Sequence, residues 1–136
     1  IVHWPRGKKA RGALRHAPSH LIDIAPTCLA AAGLEGEGIE GESLLPVFAQ
    51  DQKRARTLFW EHEGNRAIRI GKWKLVAKGA RGSWELYDLE KDRTELNDLN
   101  EKHADRAKEM AGLWEAWAVK ALAKPWPWGP KKKSGK

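Results

Sequence analysis

Residues 59–76 constrain the fold more than any other part of this chain, because they join a polar cluster to a strand-turn-strand pattern. From Arg66 to Ile70 the period-2 alternation puts Ile68 and Ile70 on one face. Gly71-Lys72 then offers the Gly-first, two-residue turn that suits a type II′ hairpin, and Trp73-Lys74-Leu75 resumes the alternation. His62, Asn65 and Arg66 fall at the mouth of this hairpin. Such a place can hold donors for an anion or a sugar, or it can simply solvate a loop, and the residues alone weigh the two readings evenly.

The surrounding pattern predicts four short antiparallel strands, over residues 57–62, 66–70, 73–77 and 84–88, with residues 78–83 as a hairpin loop. Asn100 can cap a helix over residues 101–123 that Pro125 ends. Along it Ala107, Ala111, Trp114, Ala118 and Ala121 recur at helical spacing, flanked by Met110 and Trp117, so this face needs a surface to cover, and the sheet is the available one. The eight tryptophans could suggest a stacking platform for sugars or bases. Their positions favour packing: Trp73 shares a strand face with Leu75, Trp84 with Leu86, and Trp114 lies on the apolar helix face. Trp60, Trp126 and Trp128 stay open for ligand contact.

The N-terminal third reads differently. Asp23 as N-cap, Pro26 in the first turn and Gly33 at the C-terminus predict a helix over residues 24–32 that is apolar or small almost all round. Cys28, the single cysteine, is then expected as a buried structural thiol, and no internal disulfide can form. Residues 33–43 are acidic and glycine-rich but lack the alternating Asp/Asn ligands of an EF-hand, so they read as a flexible connection. Leu44, Leu45, Val47 and Phe48 make a short apolar patch, as a helical turn or an anchor.

A chain of 136 residues is one domain, or a piece of one, and its apolar runs are too short for a membrane span. It opens on Ile1-Val2-His3-Trp4-Pro5 with no initiator Met, from which an upstream start is expected. The net charge of +7 favours anionic partners without choosing among them. Part of that excess lies in residues 131–136, after a Pro- and Trp-rich stretch that cannot continue a helix, and a disordered basic tail over 125–136 is expected.

Several segments in order resemble the C-terminal part of the sulfatase family, of the arylsulfatase type. Ile1-Val2-His3-Trp4-Pro5 is similar to the family's strand ending in Trp-Pro, and Ile22-Asp23-Ile24-Ala25-Pro26-Thr27 to its Ile-Asp-x-x-Pro-Thr helix start. Gly41-Glu42-Ser43-Leu44-Leu45-Pro46 resembles its Gly-x-Ser-Leu-x-Pro turn. Glu61-His62-Glu63-Gly64-Asn65-Arg66, Gly71-Lys72-Trp73-Lys74-Leu75, Leu86-Tyr87-Asp88-Leu89 and Glu95-Leu96-Asn97-Asp98-Leu99 continue the series.

The resemblance implies an α+β fold: the C-terminal subdomain of an alkaline-phosphatase-like sulfatase, a four-stranded antiparallel sheet packed with a long C-terminal helix. A strand and a short helix of the main α/β domain would precede it. Residues 1–50 would be the remnant of that domain with a connecting loop, and 51–124 the sheet-and-helix subdomain. The family cleaves sulfate esters with a formylglycine made from a Cys/Ser-x-Pro-x-Arg motif and a calcium ion held by Asp and Asn. Cys28 is followed by Leu29-Ala30-Ala31, so it is not that residue, and the metal-ligand motifs precede Ile1 in the family.

No catalytic residue, metal ligand or cofactor is therefore expected in this chain; calcium and formylglycine belong to the full-length member. Its partners would be a sulfate ester and the N-terminal catalytic domain, with no membrane and with nucleic acid disfavoured, in a periplasmic or secreted setting. Within the chain, His62, Asn65 and Arg66 are the candidates for lining the substrate pocket. The alternative is a standalone basic α+β module that binds sulfated glycans or nucleic acid through Arg66, Arg69 and Lys72.

Overall fold

The computed structural model describes residues 1–5, 7, 12–52, 54 and 56–124. The chain divides into two compact units, Ile1–Arg54 and Ala55–Lys136.

In the first unit a 3₁₀ turn, Leu21–Asp23, leads into helix α1, Ile24–Ala31, and a short helix α2 spans Leu45–Ala49. Gly33, at φ 75°, ends α1 in the left-handed conformation, and the amides of Gly33 and Leu34 return to the carbonyls of Ala30 and Leu29. The organising residue is Asp23, which is 0% exposed. It does not cap α1 through its side chain. Its carboxylate instead accepts the amides of His20 (2.9 Å) and Glu42 (3.0 Å) and faces the Arg54 guanidinium at 3.7 Å. Thr27 Oγ1 accepts the Leu44 amide at 2.8 Å, so Asp23 and Thr27 together dock the turn at residues 41–44 onto the start of α1. Gly41 has to be glycine there, since a Cβ would meet the Ile22 carbonyl oxygen at 2.0 Å. The acidic stretch is thus tied at its C-terminal end rather than running as a free connection.

Two expectations for this unit fail. Residues 1–4 form no strand, because a strand exists only as half of a ladder and the described residues offer these four no partner. Cys28 is exposed, not buried. Helix α1 is apolar on nearly every side, and among the described elements of its unit it packs against the 3₁₀ turn and α2, leaving Cys28 and Ile24 on it, and Ile22 in the turn before it, exposed.

The second unit contains four antiparallel strands in the order β1 (Thr57–His62), β2 (Asn65–Ile70), β3 (Trp73–Ala77) and β4 (Trp84–Asp88). Gly71, at φ 58°, opens the expected two-residue turn between Ile70 and Trp73. An unforeseen second tight turn joins β1 to β2, with Glu63 and Gly64 at φ 51° and 85° between the paired His62 and Asn65, the type I′ pattern. Helix α3, Ala104–Lys120, covers one face of the sheet. Ile68, Leu75 and Leu86, in register across three strands, meet Ala107, Met110, Trp114 and Ala118 in one buried cluster. Trp114 is 1% exposed, stands edge-on to Trp84 at 5.9 Å and donates its indole N–H to the Trp60 carbonyl at 3.0 Å. Ala107, Trp114 and Ala118 are buried as the expected stripe requires, while Met110 is buried more deeply than Ala111 and Ala121 is exposed.

Helix α3 starts three residues after the expected position, and Asn100 does not cap it. The cause is local: the Asp98 carboxylate takes the amides of Leu86 (2.9 Å) and Asn100 (2.8 Å), and the Leu99 amide reaches the Leu86 carbonyl at 2.8 Å. This segment is spent on covering the open edge of β4, so the chain needs one more turn before the helix can begin. The Trp- and Pro-containing stretch and the basic tail, with Trp126 and Trp128, lie outside the described residues.

Candidate functional site

Strand alternation separates the three candidate residues. His62 and Asn65 are cross-strand partners, so both stand on the sheet face away from α3, whereas Arg66 pairs with Glu61 and Ala77 on the helix side. His62 is exposed at the end of β1. Asn65 is also exposed, but its side chain is occupied: it donates to the His62 carbonyl at 2.9 Å and accepts the Gly79 amide at 2.9 Å. It thereby ties the β1–β2 turn to the loop between β3 and β4.

Arg66 is only 8% exposed. Its guanidinium lies 4.4 Å from the Trp84 ring centre and 5.6 Å from that of Trp114, donates to the Gly82 carbonyl at 2.8 Å and faces Glu115 at 3.8 Å. Its Nε is buried without a hydrogen-bond partner. An arginine sandwiched on indoles with one carbonyl and one carboxylate is held as part of the packing. Arg66 and Asn65 therefore grip the same loop at two points, Gly82 and Gly79. Gly64 adds a third close approach, because a Cβ there would sit 3.0 Å from the Ala80 amide nitrogen.

The loop held in this way, residues 78–83, presents Lys78, Arg81 and Ser83 as exposed side chains. In the sequence it reads only as a hairpin connection. Two cations spaced between glycines were the available clue, but nothing in the pattern revealed that the loop is anchored.

The remaining polar residues of the sheet are committed elsewhere. Arg69 donates Nε to the Gly71 carbonyl at 2.9 Å, and Lys72 pairs with Asp88 at 2.8 Å. That hydrogen bond from Lys72 holds the Asp88 carboxyl below the ordinary range. With Arg66 on the opposite face from Arg69, the three cations of the alternative polyanion module do not form one surface. Beside Arg69 on the face away from α3, Lys74 pairs with Glu95 at 2.6 Å, and Tyr87 donates to Glu85 at 2.8 Å. Burial, with the nearby Glu85 carboxylate adding to it, pushes the Tyr87 phenol up to about 12.

Among the described residues no group of three or more His, Cys, Asp or Glu side chains is placed to hold a metal ion. Cys28 lacks the proline and arginine that a formylglycine precursor requires. The described residues therefore fit neither a metal ion nor a formylglycine. No described helix is long and apolar enough to cross a membrane.

Comparison with known proteins gives these observations a family. The family described as N-sulphoglucosamine sulphohydrolase, C-terminal, matches residues 1–116. An N-acetylglucosamine-6-O-sulfatase of Bacteroides thetaiotaomicron is 31% identical over 132 residues, covering 85% of this chain and 24% of that protein. Among solved structures, BT4656, in complex with its substrate D-glucosamine-2-N,6-O-disulfate, is 27% identical with a TM-score of 0.56, over 76% of this chain and 24% of the other. The structure of Ps i-CgsB shares the fold with a TM-score of 0.63 at 24% identity, over 75% of this chain and 24% of the other. The chain thus spans about a quarter of the length of these three relatives. The segments on which the sequence resemblance rests are also ones with visible structural work: Asp23 and Thr27 dock the turn at Gly41, and Asp98 closes the edge of β4. With a family match over most of its length, the chain belongs to the family described as N-sulphoglucosamine sulphohydrolase, C-terminal.

Proposed function

We propose that the full-length protein carrying this chain hydrolyses sulfate esters of sugars, and that residues 1–124 support its α/β domain and shape the rim of the substrate pocket. The family match over residues 1–116 carries this reading, and the sulfated sugar named for BT4656 supports the substrate class. In this reading residues 1–50 complete the catalytic domain, and residues 51–124 are the accessory sheet-and-helix subdomain. His62, at the open end of the sheet, contributes to the rim, with Asn65 and Arg66 behind it. The formylglycine nucleophile and the calcium ion of the family, which would supply the attacking oxygen and the charge to neutralise the sulfate oxygens, would be held by the preceding domain and not by these residues. That chemistry needs a nucleophile, a cation and an acid in one place.

Assaying the full-length protein and this chain side by side on an aryl sulfate and a sulfated hexosamine, with calcium added, tests the reading. Turnover by the former and background by the latter is expected. Hydrolysis by this chain that depends on Cys28 would overturn it, as would a full-length protein without activity on any sulfate ester.

A further inference from the structure

The Asn65 and Arg66 side chains, expected to face a ligand, are spent on the loop over residues 78–83, and this changes what the site can be. Resting on the sulfated-sugar reading above, we propose that this loop reads a second negative charge on the substrate through Lys78 and Arg81. Asn65 and Arg66 are then the positioning residues that hold the loop.

The loop is built more tightly than a solvated hairpin connection requires. Asn65 Oδ1 accepts the Gly79 amide at 2.9 Å, and Arg66 Nη2 donates to the Gly82 carbonyl at 2.8 Å. Gly79 sits at φ 70°, and a Cβ on Gly82 would meet the Lys78 carbonyl oxygen at 1.9 Å, so the loop closes on itself in a conformation that glycine permits. Both grips come from residues that stand next to each other at the start of β2 but point to opposite faces of the sheet. The loop is therefore clamped from both sides.

On this fixed frame Lys78 and Arg81 are exposed and make no hydrogen bond or ion pair among the described residues, in contrast to Arg66, Arg69, Lys72 and Lys74, each of which has an internal partner. A backbone that is already ordered and cations that are not yet paired keep the cost of binding an anion low. The register adds a third donor: His62 pairs with Asn65, and Asn65 contacts Gly79, so His62 lies at the same end of the sheet. A sugar whose scissile sulfate is held by the preceding domain would pair these cations best with another anionic group, a second sulfate or a carboxylate, since charge-assisted hydrogen bonds are stronger than those to hydroxyls.

The test uses the full-length protein and two substrates, a hexosamine with one sulfate ester and the same sugar with a second sulfate. Replacing both Lys78 and Arg81 by alanine is expected to raise KM for the doubly sulfated sugar about fivefold, the upper range for an exposed charge contact. The loss should appear in KM rather than kcat and should shrink as salt is added. Arg81→Glu should reverse the preference between the two sugars. Asn65→Ala should raise the same KM, and Asn65→Asp, which keeps an acceptor for the Gly79 amide, should restore it. Lys102→Ala, a distant exposed cation, should change neither substrate. An unaltered KM ratio in the Lys78/Arg81 double variant, in a protein that does hydrolyse the singly sulfated sugar, would reduce the loop to a solvated turn. Failure of the wild-type protein to hydrolyse either sugar would overturn the underlying reading and the proposal with it.

Discussion

The two units of this chain are held together by different physics. Unit Ile1–Arg54 is organised by polar ties: Asp23 gathers two amides and a guanidinium, Arg15 caps the carbonyls of Val47 and Phe48 at the end of α2, and Asp51 accepts the amides of His16 and Ala17. Its only buried apolar side chain among the described residues is Val47, and none of the residues of α1 is buried. The second unit is organised by apolar contact, with Ile68, Leu75, Leu86, Met110 and Trp114 sealed between sheet and helix. Hydrogen bonds fix a geometry but contribute little net free energy each, whereas a buried large side chain contributes on the order of 1.5–3 kcal/mol. The second unit therefore contains its own source of stability, and the first has its shape specified but its apolar surface left open.

Core truncation should separate the units most sharply. Trp114→Ala is expected to cost about 3–5 kcal/mol, the range for removing a buried aromatic. Ile24→Ala and Cys28→Ser on the open sides of α1 should fall within about 0.5 kcal/mol of wild type. Denaturant titration followed by tryptophan fluorescence reads both, and similar shifts for Trp114 and Ile24 would erase the distinction. A smaller and more local effect is expected at Asp23. Asp23→Ala leaves two amides short of an acceptor and removes one of the two carboxylates that face the Arg54 guanidinium, at a cost of about 2 kcal/mol. It should loosen residues 20–45 in amide exchange and leave the denaturant midpoint of the second unit in place; a joint loss would show that the units fold as one.

The finest probe is Tyr87, the only tyrosine. Its phenol is raised to about 12 in the fold, against about 10 in an unfolded chain, so the folded state holds its proton between those values. The stability it contributes is complete below about pH 10 and is lost as pH rises towards 12. Phenolate absorbance should show the late midpoint and, in Tyr87→Phe, vanish. A midpoint near 10 while the second unit is still folded would mean that the sheet face around Tyr87 is wetter than described.

Much of the second unit was legible because its signals are periodic and local. Ile68/Ile70 and Trp73/Leu75 announce their strands by alternation, and the Gly71-Lys72 pair fixes their register. The helix stripe was readable for the same reason, except at its Ala121 end. The start of α3 was not, because Asn100 looks like a cap until Asp98 is seen pairing the edge of β4, a contact between residues 12 apart. Cys28 shows another limit. An apolar helix says that it needs cover but not whether the chain at hand supplies it. At the candidate site the polar residues could be found but their directions could not: the Glu63-Gly64 turn pairs His62 with Asn65 on one sheet face, so Arg66 turns to the other. The loop carrying Lys78 and Arg81 was visible only as a connection, since its anchors come from residues 14 and 16 positions away.

Amide hydrogen exchange, measured on this chain and on the full-length protein that carries it, tests the central claim most directly. The chain alone should protect residues 66–76 and 107–118 and leave residues 21–34 exchanging fast, since its own contacts seal only the former. In the full-length protein, residues 21–34 should become as protected as the sheet if, as proposed, a catalytic domain precedes this chain and covers α1, while residues 66–76 should change little. Equal protection of residues 21–34 in both proteins, in monomeric samples, would contradict the account: the first unit would then need no covering domain, and the division between a self-sufficient core and a dependent unit would be wrong.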